Sequence, residues 1–360
     1  MPLTFSLYDS DTLLGIVRNL RKDEPVSTYW LDLCFPNTVQ SDDGWIDFSK
    51  VPYSRKMAPF VMPMEEGRPI MSQAERTFRV RPSYIRIKDP ITADRMLVKQ
   101  AGLGEIAPGS TALTPQQRYD ANVAAIAMEH DKAIRRRWEW LAAKAVIDAS
   151  VVIKNDDHPE AYPPVTVDFQ RDPGHKIVKA AGSRWGDSGV DILKDIEDMI
   201  STVRNASYGG VVNRITVGRK VFDVMREDDK IRERMNLNYR TNLANEINIT
   251  NRVLSGADVE YVGQVANGIP VVVYSDYTED SAGNKVPMMA DTDVVLTSPS
   301  VDGFRCFGAI SDKRAGWKSL PIFMKMWDQE DPSATFITSA SAPIMVPMNP
   351  NATLTATVVQ

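Results

Sequence analysis

From Thr114 to about Ser150 the chain contains no glycine, and after Pro115 it contains no proline. Thr114-Pro115-Gln116-Gln117 places a capping hydroxyl, a proline at the first helical position and a glutamine at the reciprocal capping position. Tyr119, Val123, Ile126, His130, Ile134, Trp138, Leu141 and Ala145 then recur at helical spacing. The pattern predicts one helix over 114–150, roughly 50 Å long at 1.5 Å per residue. A typical globular helix has about 11–12 residues. A rod of this length points to an extended subunit with a spine, so the other segments must be read as elements arranged along it.

With 360 residues, 43% of them hydrophobic and 25% charged, the chain can bury a large core. No run of 18 apolar residues is present, and Asp9 and Asp11 stand where a secretory signal would be basic or apolar, so neither a membrane span nor a signal peptide is expected. Cys34 and Cys306 sit among apolar neighbours and read as free buried thiols of a reducing compartment. The net charge of −5 is unevenly spread. Residues 51–100 hold ten Lys/Arg against five Asp/Glu, whereas residues 251–300 hold two against seven. Either this is ordinary surface variation, or basic and acidic segments meet on neighbouring copies of the chain.

Residues 1–36 read as an arm. Gly44–Phe48, Thr77–Arg81 and Tyr84–Lys88 alternate like strands, and between the first two lie Pro52, Pro59, Pro63 and Pro69. Prolines fix φ and remove ladder donors, so the segment 37–90 is expected to be a long hairpin with an irregular tip. A linker follows at 91–113. After the long helix come strands at 151–153 and 165–169 and a Gly/Ser-rich join at 182–189. Residues 190–312 then mix an amphipathic helix (Ile192, Ile196, Met199, Ile200, Val203), a strand at 214–217, a helix around 221–225, a polar helical stretch to about 245 and strands at 259–262, 269–275 and 294–297. Residues 313–360 return as strand and loop. The fold class is α+β.

No catalytic constellation emerges. Gly104 to Gly109 has the glycine spacing of a phosphate loop, but Ser110 replaces the required lysine and no strand leads in, so a linker explains it. The run Asp156-Asp157-His158-Pro159-Glu160 lacks calcium-loop spacing and reads as a turn. His130 falls on the apolar stripe of the long helix. His158 and His175 lie in turn-like segments and are expected to be dispensable. Glu129, Asp131 and Glu139 are expected on a solvated helix face. Of Arg135, Arg136 and Arg137, two must point away from the apolar stripe, and nothing suggests sequence-specific DNA binding. No cofactor and no metal are expected.

The order of elements resembles a known family. Asn267 to Ser275 (NGIPVVVYS), then Gly283-Asn284-Lys285, Asp291 to Leu296 (DTDVVL), Gly303 to Ile310 (GFRCFGAI), Asp331 to Phe336 (DPSATF) and Ser341 to Met345 (SAPIM) follow one another as in the major capsid proteins of lambda-like tailed bacteriophages. The resemblance implies the tailed-phage capsid fold: an N-terminal arm (1–36), an extended hairpin loop (37–90) lying over a neighbour, a peripheral domain (91–189) with spine helix 114–150, an axial domain (190–312), and a return to the peripheral domain (313–360). It implies a virion protein, assembled in the host cytoplasm as hexamers and pentamers around double-stranded DNA. Its partners would be further copies of itself, a separate scaffolding protein, a portal, a decoration protein, and packaged DNA through weak non-specific contact. The short arm implies an uncleaved N-terminus. Arg76, Arg79 and Arg81 on the basic hairpin, with Glu279 and Asp280 or the acidic residues 42–47 opposite them, are the candidate inter-subunit contacts. Arg79 and Arg81 share a face, with Arg76 opposite. Two other readings stay open: a soluble α/β enzyme with an unrecognised site in 190–312, and another phage structural part such as a tail-tube subunit.

Overall fold

A computed structural model describes residues 7–20, 26–50, 57, 60, 64, 76–92, 114–154, 164–231, 259–265, 268–280, 283–331 and 334–360. In chain order the arm holds helices α1 (Ser10–Leu20) and α2 (Tyr29–Cys34), followed by strands β1 (Asn37–Gln40), β2 (Ile46–Lys50), β3 (Arg76–Val80) and β4 (Ile85–Thr92). The long helix α3 (Pro115–Ile147) leads to β5 (Ser150–Ile153), β6 (Val165–Asp168) and β7 (Lys176–Val178). Next come α4 (Ile192–Asn205), β8 (Arg214–Val217), α5 (Arg219–Glu227), β9 (Val259–Val265) and β10 (Ile269–Tyr274). The remaining strands are β11 (Tyr277–Glu279), β12 (Lys285–Pro287), β13 (Asp293–Thr297), β14 (Phe304–Phe307), β15 (Phe323–Gln329), β16 (Ala334–Ser341), β17 (Pro343–Val346) and β18 (Thr353–Thr357).

Helix α3 begins as its sequence predicts. The Thr114 hydroxyl accepts from Gln117 N at 3.3 Å, and the Gln117 side-chain oxygen accepts from Thr114 N at 2.9 Å. All eight residues of the predicted stripe are buried. The helix is wrapped more fully than one stripe requires. Asp131 and Glu139 are buried as well, which corrects their expected place on a solvated face; Glu129 is exposed as expected. The cause is the arm: α1 and α2 both pack on α3, covering a side that periodicity alone assigns to water.

The largest sheet has six strands in the order β7-β18-β13-β8-β10-β9. Successive strand residues face opposite sides, so each strand feeds two cores. Ile215, Val217, Val271, Val273, Val294, Leu296, Leu354 and Ala356 face a core built with α4 and α5. Val272, Tyr274 and Val295 face the other core, which contains α2 and α3. Burial on both faces explains why Val271-Val272-Val273-Tyr274 and Val294-Val295-Leu296 are continuous apolar runs rather than alternating ones.

The segment 37–90 divides. Only β2 and β3 form the hairpin, with Ile46 opposite Val80 and Lys50 opposite Arg76. The strand after Pro82 leaves it: β4 pairs along its whole length with β16, and β1 pairs in parallel with β14. The tail divides too. Strands β15, β16 and β17 join these outer sheets, whereas β18 inserts between β7 and β13. The phosphate-loop spacing at 104–109, the turn at 156–160 and the helical stretch beyond 231 lie outside the described residues.

Candidate functional site

Two exposed projections carry the candidate contact residues. The first is the β2–β3 hairpin. Its base is anchored in its own subunit: Ile46, Phe48 and Val80 are buried, and the Phe48 ring lies 6.3 Å from that of Phe304. Asp47 and Arg79 face each other across the ladder on its exposed side. Arg79 Nε donates to Asp47 Oδ1 at 2.6 Å and Nη2 donates to Oδ2 at 2.9 Å, a bidentate fork that also lies over the Trp45 ring. The guanidinium holds the Asp47 carboxyl below the usual carboxylate range. The charge of Arg79 is therefore answered within its own chain, by one of the acidic residues 42–47. Arg81, just past the strand, is exposed. Arg76 pairs with Lys50 at the far described end of the ladder.

The second projection is the β11–β12 ribbon, which displays Glu279 and Asp280. Asp280 organises its turn by accepting from Asn284 N at 2.8 Å and Asn284 Nδ2 at 3.1 Å.

The buried ionisable groups hold the fold together. Glu139 accepts from Trp30 N at 2.7 Å and from Leu31 N at 3.1 Å, so a carboxyl on α3 caps the first turn of α2. Burial raises its pKa to about 8, against the lowering effect of those two N–H groups. His130 is clamped between Ser339 Oγ at 2.8 Å and Asp89 Oδ2 at 2.9 Å, tying α3 to β16 and β4. Arg171 donates to the carbonyls of Val146 at 2.8 Å and Ile147 at 2.7 Å, closing the C-terminus of α3; burial lowers its pKa to about 10. His175 is buried, with Nδ1 2.9 Å from the Thr353 carbonyl, so the turn-like segment seen in the sequence is a packed one. Both thiols are buried as expected, and burial raises both pKa values, that of Cys306 to about 12. Arg136 and Arg137 are exposed, whereas Arg135 pairs with Asp131 at 2.9 Å. No group of three His, Cys, Asp or Glu suited to a metal exists among the described residues. No helix there is long and apolar enough to cross a membrane. Sequence reasoning missed Glu139, His175 and Arg171 because their partners lie far along the chain.

Comparison with known proteins gives this arrangement a context. Residues 9–358 match the family described as phage major capsid protein E. The chain is 26% identical to the major capsid protein of Escherichia phage N15 over 351 residues, which cover 96% of this chain and 97% of that one. It is also 26% identical to the major capsid protein of Enterobacteria phage phi80 over 352 residues, covering 96% and 98%. Among solved structures, a prophage capsid protein of Escherichia coli CFT073 superposes with a TM-score of 0.74 at 20% identity, covering 98% of this chain and all of that one. The mature capsid subunit of bacteriophage PhiM1 superposes with a TM-score of 0.50 at 11% identity, covering 89% and 83%.

Proposed function

This chain belongs to the phage major capsid protein E family, and from that premise we propose how its copies build a head. It is a structural subunit of the phage head shell, a virion component and not an enzyme. Copies associate as hexamers and pentamers and close into an icosahedral shell around double-stranded DNA. The domain built on α3 is peripheral, and the six-stranded unit with α4 and α5 is axial, meeting its copies around the capsomer centre. The β2–β3 hairpin lies over a neighbour.

One observation carries the hairpin's role. Its base is buried in its own subunit, yet Met57, Phe60 and Met64 beyond it are almost fully exposed. Large apolar side chains left this exposed mark a surface that a partner covers. Arg81 adds a cationic point for acids of the neighbour, Glu279 among them. A single exposed ion pair contributes only about 0–1 kcal/mol, but the same contact recurs at every subunit. A separate scaffolding protein, a portal and a decoration protein complete the set of partners, with weak contact to packaged DNA. Assembly takes place in the host cytoplasm.

Electron microscopy of the purified full-length chain tests this reading: round shells are expected, and tubes or a small oligomer of fixed size would overturn it. Arg81→Glu tests the cationic point. Folded subunits should fail to close at low salt and recover closure as added salt screens the repulsion. Normal shells from this variant in low-salt buffer would remove the electrostatic part of the argument.

A further inference from the structure

An exposed turn on the body of the subunit combines rigidity with backbone strain. Ile310 N donates to the Lys318 carbonyl at 3.0 Å, and Ala309 bridges Ser319, so the chain doubles back on itself. Asp312 braces the loop from inside, accepting from Arg314 N at 2.9 Å and from Lys325 Nζ. Ala315 packs in a small apolar cluster with Ile310 and Phe323 beneath it. At the outer corner Gly316 (φ 64°) and Trp317 (φ 54°) are both left-handed. Gly adopts that conformation freely, whereas a bulky side chain there costs roughly 1–2 kcal/mol. The Trp317 side chain recovers little of this inside its own subunit, because the residue is 62% exposed. A strained, braced and exposed tryptophan has the character of a binding anchor.

A second tryptophan belongs to the same surface. Ser319 N donates to Asp42 Oδ1 at 2.6 Å, and Ser41 Oγ donates to the Trp45 carbonyl at 3.2 Å, which ties the loop carrying Trp45 to the base of the turn. Trp45 is 48% exposed. Gly308, at the root of the turn, lies so close to Pro82 that a Cβ there would sit 2.4 Å from Pro82 Cγ, which places the neighbouring Arg81 at the same edge. Lys313 and Lys318 on the turn and Arg81 beside Pro82 are exposed. Two acids nearby are engaged, Asp42 with Ser319 N and Asp47 with Arg79, while Asp43 is exposed.

The complementary element is the β11–β12 ribbon. Tyr277, Glu279 and Lys285 on one face and Val286 on the other are exposed, with Thr278 half-buried beside Val286. A two-stranded ribbon this exposed is marginal in water without a partner. On one face it offers the Glu279 carboxylate beside the Tyr277 ring, over which Lys285 Nζ lies at 4.4 Å, while Val286 is exposed on the other.

We propose that the acidic ribbon of one subunit docks by its Tyr277–Glu279 face on the Trp317–Trp45 surface of a neighbouring copy, the Glu279 carboxylate meeting Lys313, Lys318 and Arg81 and the Tyr277 ring covering an indole. The occupant is a second copy because the ribbon's charge and apolar surface complement the pad, and every copy carries both halves. The contact is heterologous, joining two different patches, and so suits closed rings. The inference rests on the shell reading above and adds a specific contact to it.

Three variants test it in the full chain. Glu279→Cys with Lys318→Cys should give intermolecular disulfides in assembled particles under oxidising conditions, and neither single variant should, since Cys34 and Cys306 are buried. Trp317→Gly removes the strain together with the ring: its thermal midpoint should be no lower than that of the unchanged chain, while the subunit concentration needed for assembly rises at least tenfold. Charge reversal by Lys318→Glu should raise the subunit concentration needed for assembly, and adding Glu279→Lys should lower it again. Particles that form normally from Trp317→Gly, or that give no cross-link in the double-cysteine variant, would overturn this contact and leave the shell reading intact. An unchanged chain that forms no shells at all would overturn the shell reading, and this contact with it.

Discussion

Replacing Glu139 separates two effects that the structure combines. Its carboxyl serves two buried N–H groups of α2, and a buried donor left without a partner costs about 1–3 kcal/mol. Glu139→Ala should therefore destabilise the subunit by about 2–6 kcal/mol and loosen α2 from α3. Glu139→Gln keeps the shape and one acceptor but cannot titrate. The unfolded carboxyl releases its proton near 4.5, whereas the folded one holds it to about 8, because burial, with Asp276 and Asp32 nearby, disfavours the charge. The folded state then binds more protons across that interval, so this group's contribution to stability falls as pH rises from about 4.5 to 8 and levels off above. The loss is on the order of a few kcal/mol. Arg214, Tyr274 and Cys34 sit in the same buried cluster, and burial keeps the last two neutral through the interval. Urea unfolding of unassembled subunits from pH 5 to pH 9 should show Glu139→Gln below the unchanged chain at pH 5 and closing on it, or passing it, by pH 8. Parallel profiles would refute the proton-uptake argument, and an Ala variant of unchanged stability would refute the cap.

Arg171→Met should cost about 2–3 kcal/mol, read from the urea midpoint, since it strips charge-assisted donors from the last carbonyls of α3. His130→Ala and His175→Ala should each cost about 1–3 kcal/mol; an unchanged thermal midpoint for His175→Ala would mean that its bond to Thr353 adds nothing. Gly218→Ala should cost about 1–3 kcal/mol by pushing backbone apart, because the new Cβ would lie 2.5 Å from the Asp291 carbonyl carbon; wild-type stability would show that the helix start shifts without penalty.

What could be read from the sequence was local. The capping box at Thr114 and the stripe from Tyr119 to Ala145 are both set by residues within a few turns of each other, and both are found as expected. The strands at 214–217 and 294–297 announce themselves as short β-branched runs. Glu139 was misplaced because the N–H groups it serves lie 109 and 108 positions away. The strand 85–92 follows the hairpin directly in sequence, but its partner is β16, some 250 residues on. The candidate arginines and acids were legible as charge, whereas the two-ring pad was not. Nothing in Gly316-Trp317 announces a left-handed backbone, and the tie from Ser319 to Asp42 spans 277 positions.

The insertion of β18 between β7 and β13 bears on when a subunit is fit for use. Until Thr353–Thr357 is in place, β7 has no neighbour in the sheet and β13 presents an open edge, the kind of surface on which stray strands add. Leu354 and Ala356 contribute to one core, and Thr355 reaches the end of α3 at 2.7 Å, so the same five residues complete both layers at once. A chain still emerging from the ribosome, or cut short before this strand, therefore cannot finish either half. The closing strand is thus a keystone: without it the sheet loses its continuity and the end of α3 loses the hydroxyl that meets it, in one stroke.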